Sequence, residues 1–425
     1  MSMRQHLKTF LLALTLLFLP GVRQVNSQTE LDRLVDQALS ANPDLKSAQA
    51  RWQAFQEQIS ISGAWPDPMF SVGMMNFPPS SFALDQMEMS GVELELSQRI
   101  PLFKQGLRQK SARQSAETER QNVVSLKNFL VSQVEQTYYD LWFYRKAQAT
   151  AARNKSLLED MVKVATAKYS VGEAGQAEVS KAQIELTFVM DRILELETES
   201  RTAQAGLNLL LNRPAGDTVQ IGEELLPMEP NLSETGLQEL ARAVNPGLNS
   251  GKSEVQQLQF EQTLARRGYY PDLEIGAAYL LRRNRASTSL GGENLLSLRL
   301  SIDLPLFFWN KQSKEVSRAG FGLESGRQKL QDLENKLNYS VSAKFYEFQK
   351  GWKKIQLYRQ GLLVQARQSL ESARAGYQVG SVSFLTLLDS HKLLLDFEIE
   401  YNRAISEYLK TLAQLEELVG QKLVN

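Results

Sequence analysis

Tyr169-Ser170-Val171-Gly172 and Tyr377-Gln378-Val379-Gly380, 208 positions apart, decide how the rest of this chain is read. Each interrupts a very long run of amphipathic, helix-forming sequence. Each therefore reads as the tight turn of a helical hairpin, with Gly supplying the backbone freedom that the reversal needs. The pairing continues outward in the same order. Asn42-Pro43 recurs as Asn245-Pro246, Pro66-Asp67 as Pro271-Asp272, and Pro101-Leu102-Phe103 as Pro305-Leu306-Phe307, at offsets of 203, 205 and 204. Four matches in register mark a tandem duplication with a few small insertions.

Upstream of each long helical run the hydrophobic period changes to two. Phe70, Val72 and Met74 alternate with Ser71 and Gly73, and Val92, Leu94 and Leu96 alternate with Glu93, Glu95 and Ser97. The copy does the same, with Leu273, Ile275, Ala277 and Tyr279, then Leu296, Leu298, Leu300 and Ile302. A period of two with one apolar face predicts strands, so each repeat contributes one hairpin. Four strands are too few to close a membrane barrel, which needs about eight. Two readings follow from the residues alone: several chains share one barrel, or a small soluble sheet packs on a helical domain with a polar outer face.

The proline at 101 and at 305 sits where strand passes to helix, a place that suits the first helical turn. From Lys104 to Gly172, and from Lys311 to Gly380, the sequence predicts helices of roughly 65 residues, about 100 Å long. On the returning arms Val179, Ala182, Leu186, Val189, Ile193, Leu196, Ala203, Leu207 and Leu210 keep a 3-4 spacing broken only by Ser200. Leu394, Phe397, Tyr401, Ala404, Tyr408, Leu415 and Leu418 follow a similar register, which is a coiled-coil seam. A short helix over 29–40, ended by Asn42-Pro43, and a second over 44–63 open the first repeat; Leu237 and Ala241 answer Leu34 and Ala38 in the second. The expected division is a signal peptide at 1–27, a first repeat at 28–211 with a β-hairpin at about 69–99 and a coiled-coil hairpin at about 104–211, and a Pro- and Gly-rich connector at 212–232. A second repeat at 233–425 follows, with a β-hairpin at about 273–303 and a coiled-coil hairpin at about 311–420.

The signal reading rests on Arg4 and Lys8, the apolar run Phe10 to Leu19 and the small residues around Val25-Asn26-Ser27; its alternative is a buried first helix. No later stretch reaches the roughly 18 to 20 apolar residues of a membrane-spanning helix. Cysteine is absent, which excludes disulfides, thiolate metal sites and a Cys-linked lipid anchor. Past the signal His391 is the only histidine, which removes most zinc chemistry and any His-dependent triad. No catalytic constellation, cofactor motif or metal set is expected, and 45 basic against 48 acidic residues after position 27 give no electrostatic reason to bind nucleic acid. The cluster Tyr138, Tyr139, Trp142, Phe143 and Tyr144 is expected to pack in a core or between subunits. Met69, Met74, Met75, Met87 and Met89 invite a Cu(I) reading, against which ordinary lipid-facing or loop packing is preferred.

A signal peptide, a duplicated helix, hairpin and long-helix unit, Pro-Leu-Phe at the strand-to-helix junction and Tyr-x-Val-Gly at the tips together resemble the TolC-type outer-membrane efflux proteins, over essentially the whole chain. The stretch from Trp65-Pro66-Asp67-Pro68 to Asn76-Phe77-Pro78 is similar to the outer-membrane components of heavy-metal efflux systems. The resemblance implies a mainly α fold of tandem coiled-coil hairpins with four strands per chain, three copies closing a 12-stranded barrel over a periplasmic helical tunnel. It implies a passive exit duct for small solutes, drugs or metal ions, without a cofactor, set in outer-membrane lipid. Its partners would be a periplasmic adaptor and an inner-membrane pump of the RND type. The adaptor would meet the tips at Tyr169, Val171, Gly172 and Glu173 and at Tyr377, Val379, Gly380 and Ser381. Asp389, Glu178 and Thr386 match the positions at which the family narrows its tunnel, with Thr386 in place of an acid. The reading from another class is a periplasmic coiled-coil scaffold or chaperone with a soluble β-sheet.

Overall fold

The structure, a computed structural model, describes residues 27–77, 79–80, 89–222, 224, 225, 227, 229, 231–283 and 293–424. The expected signal before Ser27 lies outside them, as do Pro78 and Met87. The first repeat runs α1 (Ser27–Ala41), α2 (Pro43–Gly63), β1 (Met69–Met75), β2 (Gly91–Ile100), α3 (Gln105–Ser170) and α4 (Gln176–Leu210). The second runs α5 (Glu234–Val244), α6 (Pro246–Arg267), β3 (Leu273–Leu281), β4 (Leu295–Ile302), α7 (Gln312–Leu357), a π turn (Tyr358–Leu362), α8 (Leu363–Gln378) and α9 (Phe384–Val419).

The four strands form one antiparallel sheet in the order β1-β2-β3-β4. Its register brings the alternating apolar residues of all four strands onto a common face: Phe70 lies opposite Leu96, Leu96 opposite Ala277 and Ala277 opposite Leu298. That face is open, with Leu298 82% exposed. The other face is the sheltered one: Ser97, Ala278 and Leu280 are buried there, Arg299 pairs with Glu95 at 2.7 Å, and at its base Arg99 meets Asp303 at 2.7 Å and Lys104 meets Asp272 at 2.7 Å. A water-soluble sheet would hide the first face and show the second. The polar outer face of the soluble alternative is therefore not what this sheet presents.

Asn42 and Asn245 do more than end a helix. Each side-chain oxygen caps the next helix, Asn42 accepting from the amides of Asp44 and Leu45 and Asn245 from that of Leu248. Each side-chain nitrogen donates to a last-turn carbonyl of a returning arm, Leu210 for Asn42 at 3.3 Å and Leu418 for Asn245 at 2.8 Å. One residue type thus ties the start of each repeat to its own end, 168 and 173 positions away.

The structure departs from the sequence expectations in three places. The second long helix is not continuous, because Leu363 donates to the Tyr358 carbonyl in a five-residue π turn. The reason is one extra residue. Above the turn the buried pairs Val134 and Val341, Tyr138 and Phe345, and Leu141 and Phe348 stand at an offset of 207; below it Leu158 and Ala366, and Ala165 and Ala373, stand at 208. Pro101 and Pro305 do not lie in a first helical turn, since the helices start at Gln105 and Gln312 after turns of which Phe103 takes a left-handed φ of 58°. In the tip half of α9 the buried stripe is Phe384, Leu388, His391, Leu395 and Ile399, not Leu394 and Phe397. Phe397 instead sets its ring edge-on to Tyr358 of the π turn, centroids 6.0 Å apart.

The connector docks on α3: Arg145 donates to the Val219 carbonyl at 2.9 Å, and the buried Tyr138 hydroxyl accepts from the Gly222 amide at 3.1 Å. Tyr138, Trp142 and Phe143 are buried within the chain, and Phe348 stacks on Tyr408 at 4.5 Å. Beside them Glu135 is 4% exposed, with Lys422 at 3.5 Å and the carboxylates of Glu416 and Asp32 nearby. Burial first, then Glu416 and Asp32 against the relief from Lys422, pushes Glu135 up to about 7. A carboxyl whose folded pKa is raised holds its proton more firmly when folded, so its ionisation costs stability as pH rises from the unfolded value of 4.5 through 7. Glu135→Gln should raise the unfolding temperature in detergent at pH 8 and leave it unchanged at pH 4, with an upper limit of roughly 3 kcal/mol from about 1.4 kcal/mol per pK unit.

Candidate functional site

The two hairpin tips are built alike from the same hydrogen bonds. At the first, the Glu173 amide donates to the Lys168 carbonyl at 2.8 Å and Gly172 to Tyr169 at 3.0 Å; at the second, Ser381 donates to Gly376 at 2.9 Å and Gly380 to Tyr377 at 3.2 Å. This double closure requires a left-handed residue after the helix, supplied by Gly172 at φ 77° and Gly380 at φ 76°. It leaves Val171 69% and Val379 79% exposed at the apex. Tyr169, Glu173 and Ser381 are exposed beside them.

Tyr377 departs from that pattern. It is half-buried, 5.7 Å from the Phe384 ring, with the Lys168 ammonium of the other hairpin 4.4 Å above its face. The two tips are therefore held side by side within one chain by a cation–π contact that the sequence pattern did not reveal. Gly376 was missed as well. A Cβ there would lie 2.4 Å from a methyl of the Val382 side chain, so Gly376 makes room for Val382 where the chain turns back.

Of the residues expected to narrow a tunnel, Asp389 is exposed on α9 and has no ion pair among the described residues. Thr386 belongs to the helix cap: its amide donates to the Ser383 hydroxyl at 3.2 Å and its own hydroxyl lies 3.0 Å from the same atom. Glu178 is half-buried in the first turn of α4, whose cap residue Gly175 has no side chain to offer, and a carboxylate there is favoured by the helix dipole. Thr386 and Glu178 are counterparts at an offset of 208. His391 is buried between helices, and desolvation lowers its pKa, so it is neutral at pH 7.

Higher up, α4 and α9 leave a groove of about 270 Å³ lined by Phe188, Glu185, Arg192, Lys392, Asp396 and Glu400. Burial raises the Asp396 pKa against the opposing pull of Lys392 and Arg192. Near the sheet, α2, α3, α6 and α7 enclose a concavity of about 1250 Å³ whose charged residues include Arg108, Glu261, Glu315 and Arg318. The three methionines of β1 do not share one face. Met69 and Met75 share the polar face at opposite ends of β1, while Met74 lies on the apolar face beside Phe70 and Val72. No cluster of His, Cys, Asp and Glu suited to a metal occurs among the described residues.

The family model described as "Outer membrane efflux protein" matches residues 34–213 and again 237–421. The outer membrane efflux protein BepC of Brucella suis is 20% identical over 88% of this chain and 81% of its own length. The outer membrane protein TolC of Vibrio cholerae is 19% identical over 92% and 90%. Among solved structures, the outer membrane protein VceC of Vibrio cholerae superposes with a TM-score of 0.78 at 16% identity, covering 93% of this chain and 97% of that one.

At the tips, Gly172→Ala and Gly380→Ala meet no neighbour within 4 Å, so each should cost only the left-handed strain of roughly 1 to 2 kcal/mol. Gly376→Ala should cost more and be partly repaired by Val382→Ala; hydrogen exchange of the amides at 381 and 382 reports both.

Proposed function

Because the chain belongs to the outer membrane efflux protein family, we propose that it is the exit duct of a tripartite efflux pump, passively passing small solutes across the periplasm and the outer membrane. The observation that carries this reading is the inverted sheet, apolar on its open face and ion-paired on its sheltered one, feeding directly into helices of about 100 Å. Three copies side by side would give the sheet enough strands to close, with the apolar face toward lipid and the charged face toward a water-filled lumen. The exposed apolar rings at the strand-to-helix turns, Phe307, Phe308 and Trp309, suit the aromatic girdle of such a barrel at the periplasmic interface.

In this reading the tips receive a periplasmic adaptor, which links the duct to an inner-membrane pump of the RND type. Val171 and Val379 are the exposed apolar contacts, Glu173 and Ser381 set the difference between the two tips, and Tyr169 is presented where Tyr377 is not. Asp389 narrows the lumen just above, with Glu178 and Thr386 one helical turn nearer the tip. The periplasmic scaffold reading is set aside, since the family's place is the outer membrane and the sheet presents an apolar face.

Leu298→Arg, at the middle of β4 on the apolar face, should cost roughly 2 to 4 kcal/mol and abolish a heat-resistant trimer in the outer-membrane fraction. Wild-type yield and assembly from this variant would count against a lipid-facing sheet. Asp389→Ala should change single-channel conductance and reduce cation preference in planar bilayers; identical currents would remove Asp389 from the constriction.

A further inference from the structure

The concavity near the sheet lies on one side of the wall made by α2, α3, α6 and α7. On α3 it is lined by Arg108, Ser111 and Ser115, and on α6 by Glu261, Ala265 and Gly268. With 3.6 residues per turn, Lys110 and Arg113 of α3 and Arg266 and Arg267 of α6 fall on the far faces of the same two helices. Two ring contacts show that these faces adjoin. The Lys110 ammonium lies 6.0 Å from the centre of the Phe260 ring, and the Arg267 guanidinium lies 5.8 Å from that of Phe103 and 5.2 Å from that of Tyr270. The four bases thus form one patch astride the seam of α3 and α6, within a single chain.

Lys110, Arg113 and Arg266 are exposed, and Arg267 is half-buried beside its rings. None of the four side chains has an ion pair or a hydrogen bond among the described residues. Acids are missing from the same stretches: residues 105–116 hold none, and residues 259–270 hold only Glu261, which lines the concavity on the opposite side. The helix dipole favours a base in the last turn of α6, but it gives Lys110 and Arg113 no support near the start of α3. The repeated plan does not require the bases either. At the offset of 207 that holds along the long helices, Lys110 and Arg113 are answered by Ser317 and Gly320; at the offset of 205 set by Pro66 and Pro271, Arg266 and Arg267 are answered by Ile61 and Ser62. The corresponding faces of the other repeat carry no charge at all.

We propose that this patch binds the phosphate groups of anionic phospholipids in the periplasmic leaflet of the outer membrane, one site per chain. The proposal rests on the reading of the sheet as lipid-facing and adds a headgroup that the helical wall selects. The exposed rings of Phe103, Tyr269 and Tyr270 stand where strand and helix meet, the level at which aromatic side chains lie among headgroups. Lys110 and Arg113 follow roughly 8 and 12 Å along α3 from its first residue. Side chains of a helix lean toward its N-terminus, which in α3 is the end next to the sheet, so both bases reach back toward the headgroups. A guanidinium that lies flat against rings, as Arg267 does, keeps the donors at its edge free for a phosphate. A free phosphate would leave the adjoining rings without a role; a phospholipid uses both, with its acyl chains against the rings and its phosphate on the bases.

The full-length protein, reconstituted into bilayers of phosphatidylethanolamine mixed with equal amounts of phosphatidylglycerol and phosphatidylcholine and extracted in mild detergent, should retain phosphatidylglycerol in preference to phosphatidylcholine, as counted by native mass spectrometry. Each base near an anionic surface is worth roughly a fivefold change in partition, so Lys110→Gln with Arg266→Gln should weaken the preference by at least about tenfold. Arg108→Gln with Arg318→Gln, on the concave side, should leave it unchanged. Excess glycerol phosphate should not displace the retained lipid; displacement would assign the patch to soluble phosphates and overturn the proposal. A preference that persists in Lys110→Gln with Arg266→Gln also overturns it. The unsubstituted protein tests the proposal without any variant having to fold. If it inserts into the bilayer but keeps both lipids alike, the proposal fails and the duct reading stands. If it stays out of the bilayer as a soluble monomer, both fail.

Discussion

In hydrocarbon a strand has no water to satisfy its N–H and C=O groups, and the free edges of β1 and β4 are where this chain meets that constraint. Four strands cannot answer it alone. Because each strand pair passes through one short turn into a long helix, whatever closes the sheet also arranges the helices below it. The same constraint accounts for the inverted faces. Phe70, Val72, Leu96 and Leu298 gain nothing from water, while Arg299 with Glu95 and Arg99 with Asp303 need it or each other. In the proposed duct, sheet chemistry, copy number and tunnel geometry are thus one problem with one solution.

The duplication had to diverge without disturbing that solution, and the positions of the insertions show how. Relative to the first copy, the second gains three residues between Phe307 and Lys311, in a turn where length is cheap. It gains one more inside the long helix. An extra residue in an α-helix rotates everything beyond it by about 100°, which would have carried Ala366 and Ala373 off the buried face. The π turn at Tyr358–Leu362 takes up that residue, and the tip hairpin keeps its packing.

Period and turn chemistry made much of the fold legible from sequence. The alternation at Phe70, Val72 and Met74 and the paired Tyr-x-Val-Gly stretches sufficed for the strands, the long arms and the hairpin tips, because a strand face and a left-handed Gly leave local marks. What was not legible depended on a second element. The stripe of α9 could be read as Leu394 and Phe397 because both are apolar at suitable spacing; only the neighbouring helices select Leu395 and Ile399, which lie beside Ala151 of α3 and Val189 of α4, while Phe397 meets Tyr358 of the π turn. Likewise Lys168 over Tyr377 joins residues 209 positions apart, and no spacing rule reaches that far. The one available hint of the π turn was the change of offset between repeats, from 204 at Pro305 to 208 at Tyr377, which locates an insertion without saying whether a loop or a helix absorbs it.

The site residues differ in kind from the fold residues, and the comparison of repeats shows it. Positions that shape the tips are the same in both copies: Val171 and Val379, Gly172 and Gly380. Positions proposed to act on a passing solute are not. At the offset of 208 that holds around the tips, Asp389 is answered by Lys181 and Thr386 by Glu178. In a ring of alternating first and second hairpins, each level would then carry three acids rather than six. At the level of Asp389 the intervening base is partly neutralised, because Lys181 leans toward the buried Glu185 at 3.9 Å, while Asp389 itself stays exposed. The field at the proposed constriction would therefore be written by the divergence between repeats, on a scaffold that their agreement holds in place.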